Sequence, residues 1–203
     1  MKSYLKKLVR KAFALLKRFF RFLLYLYFGF DKWHLSTLYE KKYAKDITRY
    51  LNSKSKASNN TVVEIGCGLG DIIRNINSIH KIGYDIDVDV LKAACFLSGI
   101  TFKKKVNFKW FKFPESNLDE KADAIILVNW IHHIAPSVLK PKIETYFHNN
   151  LLLDGEIIID TVQDREYKFN HDISYLAKDI KATINKLGDY DRQRTIWIIK
   201  KSE

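Results

Sequence analysis

Along residues 1–30 the apolar positions recur at steps of three and four: Leu5, Leu8, Val9, Ala12, Leu15, Leu16, Phe19, Phe20, Leu23 and Tyr27. That spacing predicts one amphipathic helix. Lys6, Lys7, Arg10, Lys11, Lys17, Arg18 and Arg21 largely fill its other face. Ser36–Leu51 reads as a second helix, with Ser36 as its cap and Tyr39 and Glu40 in its first turn. The polar run Asn52–Asn60 reads as a linker.

After Thr61 the pattern changes. Apolar runs at Thr61–Ile65, Lys81–Asp85, Ala124–Val128 and Gly155–Asp160 have the length of buried strands. Val106–Phe113 alternates loosely and predicts another. Thr195–Lys200 reads as a last strand, paired in a hairpin with a short one near Gly188–Arg192. Leu69–Ile79, Val88–Leu97 with Gly99 as a stop, Pro136–Asn150 and Asp172–Leu187 read as helices. Strands alternating with helices predict an α/β fold. The expected sheet is doubly wound and mostly parallel, seven-stranded, with one antiparallel strand near the C-terminal edge and helices before it at the N-terminus. Ligands in such sheets bind beyond the C-terminal strand ends, where the strand order reverses.

Charge sharpens the division of the chain. The 35 basic and 23 acidic residues give a net charge of +12. Eight of the bases, Lys2, Lys6, Lys7, Arg10, Lys11, Lys17, Arg18 and Arg21, lie in residues 1–30, which hold no acid. The other 27 (35 − 8) face all 23 acids, so the body is nearly neutral. A nucleic-acid enzyme more often spreads its bases around the catalytic face, so no nucleic-acid partner is favoured. The chain therefore divides into a basic helix, 1–30, and a domain, 31–203.

The uncharged stretch Phe22–Phe30 is far shorter than the roughly 20 residues a membrane span needs. Residues 1–28 are expected to lie on an anionic membrane surface; packing on the chain's own domain or on a second subunit is the alternative. The Tyr-Phe-Gly-Phe-Asp-Lys-Trp that follows lacks the small residues of a secretory cleavage site. Cys67 and Cys95 have no metal-ligand spacing and form no CxxC. No metal and no disulfide framework are expected, which suits a reducing, cytoplasmic compartment and a peripheral place on the inner face of the membrane.

The densest chemistry lies in Val62-Val63-Glu64-Ile65-Gly66-Cys67-Gly68-Leu69-Gly70-Asp71. Gly66, Gly68 and Gly70 let the backbone turn tightly and approach a ligand. A dinucleotide loop would read GxGxxG, but Asp71 stands where the last glycine belongs. Glu64 and Asp71 would repel an anion and suit a cationic ligand. Asp85 ends the second strand, about 20 residues after the loop begins, and is placed for ribose hydroxyls. The site asks for a ribose, an adenine and a positive centre, without a pyrophosphate.

These stretches resemble the class I, Rossmann-like S-adenosylmethionine-dependent methyltransferases. Glu64–Gly70 is similar to their first motif and Gly83–Asp87 to their second-strand motif. Asp123–Ile134 and Leu151–Asp160 resemble the fourth- and fifth-strand motifs. The likeness runs over about residues 40–200, with the motifs in family order. It implies S-adenosylmethionine as methyl donor, with S-adenosylhomocysteine as product. The implied cofactor-binding residues are Glu64, Gly66, Cys67, Gly68, Gly70, Asp85, Ile86, Asp87, Asn129 and Trp130. Two departures stand out. Phe111-Lys112-Phe113-Pro114-Glu115 replaces the acid that often follows the third strand, and Asp154 replaces a glycine of the fifth-strand turn.

Methyl transfer to oxygen needs a proton removed, a task suited to histidine near neutral pH. His132 and His133 follow the fourth strand, over the pocket by resemblance. His171, in Asn170-His171-Asp172, precedes a helix that often borders the acceptor pocket in the family; alternatively Asn170 or Asp172 caps that helix and His171 is simply exposed. Trp33-His34 could form a lid or a membrane anchor, Tyr43 could reach the cofactor, and Asp160 and Thr161 could line the cleft. Trp33-His34, then Tyr43-Ala44, then the glycine loop is loosely similar to bacterial surface-polysaccharide methyltransferases. The expected acceptor is a hydroxyl of a glycan or lipid-linked precursor. RNA, a quinone or a small metabolite is the alternative, although Asn129-Trp130-Ile131-His132 stands where amino-methylating nucleic-acid enzymes carry Asp-Pro-Pro-Tyr. A non-catalytic membrane adaptor of the same fold is the third reading.

Overall fold

The computed structural model describes residues 2–38, 40–54, 60–100 and 105–201, with side chains from Ala14 onward. Tyr39, most of the expected linker (55–59), and the side chains of Leu5, Leu8, Val9 and Ala12 lie outside the described residues.

Seven strands form one sheet: β1 Thr61–Ile65, β2 His80–Asp85, β3 Asn107–Trp110, β4 Ala122–Leu127, β5 Leu151–Val162, β6 Ala182–Tyr190 and β7 Arg194–Lys201. Their order is β3-β2-β1-β4-β5-β7-β6. Every pairing is parallel except those of β7 with β5 and with β6. The one antiparallel strand thus lies beside the C-terminal edge, as the sequence predicts. The order reverses between β1 and β4, where Ile65 pairs with Tyr84 on one side and Leu127 on the other.

Alternation along the strands sorts the core into two layers. Val63, Ile125 and Ile157 pack with Leu139, Ile143 and Tyr146. Val62, Ala124, Ile126 and Ile158 pack with Ala44, Ile47, Ile73 and Leu91. Helices α2 (Lys42–Lys54), α3 (Val88–Gly99) and α4 (Pro136–Thr145) supply much of this cover. Asp87 caps α3, its carboxylate accepting the N–H groups of Asp89 and Val90.

Several predicted elements differ. Leu69–Ile79 is a chain of turns with one short 3-10 stretch, Ile73–Asn75, rather than a helix. Side chains take up its backbone groups: Glu64 accepts the Ile73 N–H at 2.9 Å, and Asn75 donates to the Asp71 carbonyl at 2.7 Å. Asp172–Leu187 is helical only over Ile173–Leu176, with Asp172 as its cap. Residues 182–190 form β6, whose pairing with β7 overrides their weak helical pattern. Ser36 does not cap α2, which starts at Lys42; it ends a 3-10 turn, Lys32–Leu35. Gly99 lies inside α3 rather than beyond it. β3 is shorter than expected, and β5 runs from Leu151 to Val162. Pro136–Asn150 is helical as expected, with its last five residues in π-form.

The long helix α1, Lys2–Phe28, is not a separate unit. Leu24 and Phe30 are buried with Leu69, Val90, Ala93 and Leu97, against which Tyr25, Phe28 and Leu35 also pack. The C-terminal turns of α1 therefore pack on the body, the alternative that the sequence left open. Arg21, expected on the outer polar face, points inward and is only 7% exposed. Leu15, Leu16, Phe19, Phe20, Phe22, Leu23, Leu26 and Tyr27 are exposed instead. Periodicity gives the faces of a helix but not which one finds a partner, and the partner here, Asp71, is distant in sequence. No helix among the described residues is long and apolar enough to cross a membrane.

Candidate active site

At the reversal point the strand ends open into a cavity of about 700 Å³. Ligand pockets generally span about 300–1,000 Å³. Its floor is backbone. Gly66 and Gly68 adopt φ of +73° and +53°, a region costly for residues with a Cβ. A Cβ on Gly66 would come within 2.2 Å of the Trp130 ring, and one on Gly68 within 2.8 Å of His34 Nδ1. Gly70 also has positive φ (+72°), but it abuts Phe108 and Arg74 and shapes the turn without lining the cavity.

Asp85 secures this floor. Its carboxylate accepts the Gly68 N–H at 2.8 Å and the Asp87 N–H at 3.0 Å. Each oxygen keeps a further lone pair for ribose hydroxyls. Burial raises the pKa of Asp85. Ile86 and Asp87 line the cavity beside it, with Phe111 and Phe113 where the third-strand acid is missing. That wall offers aromatic faces in place of a carboxylate, which suits a flat purine. Cys67 is buried in the floor, and burial pushes its thiol upward.

The two acids of the loop diverge. Glu64 lines the cavity and is pushed up to about 8, by burial first, while the Ile73 N–H and Lys41 pull the other way. It is largely protonated at neutral pH and ionises most readily when a cation arrives. Asp71 does not serve that purpose, contrary to the expectation from sequence. Burial alone would raise its pKa, yet the Arg21 and Arg74 guanidinium groups hold it low. Its charge is already matched.

On the other side of the floor, Asn129 has φ +78°, uncommon outside glycine. Its N–H is held at 3.0 Å by Asp160, which lies under the floor and does not line the cavity, nor does Thr161. Asp160 also accepts from His132 Nε2 at 3.1 Å and from Arg194. The Arg194 guanidinium lies over the Tyr43 ring, 4.8 Å from its centroid. Trp130 lies across Gly66 and donates its indole N–H to the Ile65 carbonyl at 2.6 Å.

Of the three candidate bases only His133 lines the cavity. His132 is fully buried against Asp160 and Tyr167. His171 is buried too, its Nε2 donating to the Ile131 carbonyl at 2.9 Å, and burial lowers its pKa. These two rings are structural supports in this geometry and are withdrawn as bases. Trp33, His34 and Tyr43 line the rim, and Tyr43 also packs against the core. Burial lowers the pKa of His34, which faces Asp85. Lys41, Tyr167 and Arg192 also line it and were not foreseen. Burial lowers the pKa of Lys41, although Asp71 and Glu64 oppose the shift. Tyr167 and Arg192 lie in loops without periodicity, so no sequence signal marks them.

No protein-family model matches the chain. It is 33% identical over 103 residues to a protein of Invertebrate iridescent virus 6 named "Putative methyltransferase 235L". That match covers 43% of this chain, and the chain spans 38% of the viral protein. Among solved structures it is similar to magnesium protoporphyrin IX methyltransferase (ChlM) of Synechocystis PCC 6803 with bound S-adenosylmethionine. The TM-score is 0.68 at 15% identity, over 97% of each chain. It is also similar to the N-methyltransferase NodS of Bradyrhizobium japonicum WM9 with S-adenosylhomocysteine, at TM-score 0.67 and 12% identity, over 83% of this chain and 90% of that one. The chain has the Rossmann-like fold of the class I S-adenosylmethionine-dependent methyltransferases.

Proposed function

We propose that this protein transfers a methyl group from S-adenosylmethionine to a hydroxyl of a glycan or lipid-linked precursor at the inner membrane face. The observation that carries the methyltransferase assignment is the floor of the cleft: Asp85 bonded to the Gly68 N–H beneath a cavity of about 700 Å³, at the strand reversal. The residues present fit the cofactor. Asp85 has lone pairs for the ribose, Phe111 and Phe113 offer flat apolar faces, and Glu64 can ionise beside a sulfonium.

When bound, the cofactor supplies a methyl carbon already activated by its sulfonium. The protein's task is alignment and exclusion of water, which can supply about 7–11 kcal/mol. Trp130 and Asn129, fixed through the Ile65 carbonyl and Asp160, hold the floor against which an acceptor is aligned. With cofactor and acceptor bound, His133, on the cavity wall, would take the proton that the acceptor hydroxyl gives up on methylation.

A membrane-borne acceptor is supported by the rim. Trp33, on the cavity wall, is exposed, as is the apolar outer face of α1, in a segment that carries eight cations and no acid. Aromatic and aliphatic residues with flanking cations suit an anionic interface.

The test is transfer of radiolabelled methyl groups from the cofactor into fractionated cell extract. Label in the lipid fraction is expected. Label in RNA or soluble metabolites would overturn the acceptor, and no label in any fraction would overturn the activity. His133→Ala is expected to lower turnover by about 10²–10⁴-fold.

A further inference from the structure

Arg21 joins helix α1 to two segments that line the cleft. Its guanidinium donates to both oxygens of Asp71, one at 3.0 Å, to the His34 carbonyl at 3.3 Å and to the Ser36 carbonyl. Asp71 follows the glycine loop and lines the cavity. The 3-10 turn Lys32–Leu35 brings Trp33 and His34 to the cavity lining, and the His34 ring lies against Gly68. One side chain of α1 thus ties together two neighbouring segments that both line the cleft. A planar guanidinium fork suits this role, since it meets a carboxylate through two bonds and has donors left for carbonyls.

The same helix turns carry a different surface outside. Helical geometry advances about 100° per residue, so positions two before and two after Arg21 point away from it. They are Phe19 and Leu23, both exposed, with Leu15, Leu16 and Leu26 continuing the face. α1 is therefore a rod with an apolar outer side and an ionic clamp inside. Its described contacts with the body include Leu24, Tyr25, Phe28 and the Arg21 clamp, with an exposed Arg18–Glu40 pair beside them.

We propose that docking of the outer face of α1 on an anionic bilayer and filling of the cleft by the cofactor are coupled through Arg21, each strengthening the other. This rests on the methyltransferase and membrane proposals. Seating the rod at a surface restrains Arg21, and through it Asp71 and residues 32–36. Filling the cleft packs against Trp33 and His34 and restrains the same segment. Ordering supplied at one end lowers the cost of ordering at the other. Such coupling is reciprocal for binding free energies. The bilayer is favoured as occupant by charge: residues 1–30 hold eight cations and no acid, and with Arg21 matched by Asp71 and Arg18 beside Glu40 the segment stays positive enough to repel a second copy and attract anionic lipid.

The experiment uses the full chain. Calorimetry measures S-adenosylhomocysteine affinity alone, with vesicles of phosphatidylcholine and phosphatidylglycerol in equal parts, and with pure phosphatidylcholine. Co-sedimentation measures vesicle affinity with and without S-adenosylhomocysteine. Anionic vesicles are expected to tighten S-adenosylhomocysteine binding about tenfold, and S-adenosylhomocysteine to tighten vesicle binding by the same factor. Phe19→Glu loses vesicle binding and with it the vesicle effect. Arg21→Gln still sediments with vesicles and still binds S-adenosylhomocysteine, but neither ligand affects the other. If that variant loses its cooperative melting transition, Arg21→Lys, which keeps charge but not the fork, replaces it and shows reduced coupling. Independent binding of both ligands by the wild type, or full coupling in the Arg21 variant, overturns the proposal while leaving the membrane assignment intact. No sedimentation of the wild type overturns the membrane assignment and the coupling together; no S-adenosylhomocysteine binding overturns the cofactor assignment.

Discussion

Asp85 and Trp33 stand on the walls of one cleft, yet the first is 9% exposed and the second 71%. The floor around Asp85 is built from strand ends and backbone: the N–H groups of Gly68 and Asp87 on Asp85, and that of Asn129 on Asp160. The rim is built from side chains of separate segments, with Trp33 and His34 from one, Lys41 and Tyr43 from another, and His133, Tyr167 and Arg192 from three more. The floor is rigid and suits a ligand that never varies. The rim holds long side chains on loops, where acceptor preference can change without disturbing the fold.

The contrast breaks most visibly under the floor. Asp160→Ala leaves the Arg194 guanidinium buried without its carboxylate and frees the strained Asn129. The expected loss of stability is about 3–5 kcal/mol, read from denaturant unfolding. A loss similar to that of a rim substitution would mean the floor is no more rigid than the rim. Next, Asp85→Ala removes charged acceptors for ribose hydroxyls as well as those of Gly68 and Asp87. S-adenosylhomocysteine affinity should fall about a hundredfold, since each hydrogen bond to a charge contributes about 1.5–3 kcal/mol. Trp33→Ala on the rim should change that affinity by less than about threefold, in keeping with the small effects of exposed substitutions.

Gly66→Ala puts a Cβ into the Trp130 ring at φ +73°. It should cost about 1–3 kcal/mol in backbone strain alone, measured by thermal or urea unfolding. The smallest effect is a slope with pH. Glu64 is raised to about 8 in the fold, so ionising it there is unfavourable. Its contribution to stability is full below its ordinary pKa of 4.5 and is lost as pH rises through about 8. A cationic ligand reverses the preference by favouring the ionised form. Affinity for S-adenosylmethionine should rise by at most about tenfold per pH unit up to pH about 8 and then level off. S-adenosylhomocysteine, whose sulfur is neutral, should show the shallower profile. Lys41, Asp71 and Asp85 act on Glu64 in the same site, so Glu64→Gln is the variant that isolates its share.

The floor was legible in the sequence because its chemistry is local. Strand β1, three alternating glycines and Asp85 at the end of β2 lie within a stretch where spacing alone implies geometry. The sheet was legible for the same reason, since the central strands are uninterrupted apolar runs. The rim was not. Arg21 meets Asp71 across 50 positions and Arg194 meets Asp160 across 34, and a pattern with a period of two or four residues carries no information about either pair. The same limit explains the histidines. His132 and His133 follow β4 and His171 precedes the short helix at Ile173, as expected, but whether a ring faces the cavity, like His133, or the core, like His132 and His171, depends on contacts made from other segments. Residues 182–187 differ for another reason: they read as the end of a helix, and pairing with β7 extends the expected hairpin strand back through them.

The most direct test is a calorimetric titration of S-adenosylmethionine into the wild-type chain and into Asp85→Ala under one set of conditions. Saturable one-to-one binding by the wild type, largely lost in the variant, is the predicted result. Absence of binding by the wild type, or equal affinity in the two proteins, would contradict the placement of a nucleoside cofactor on this floor.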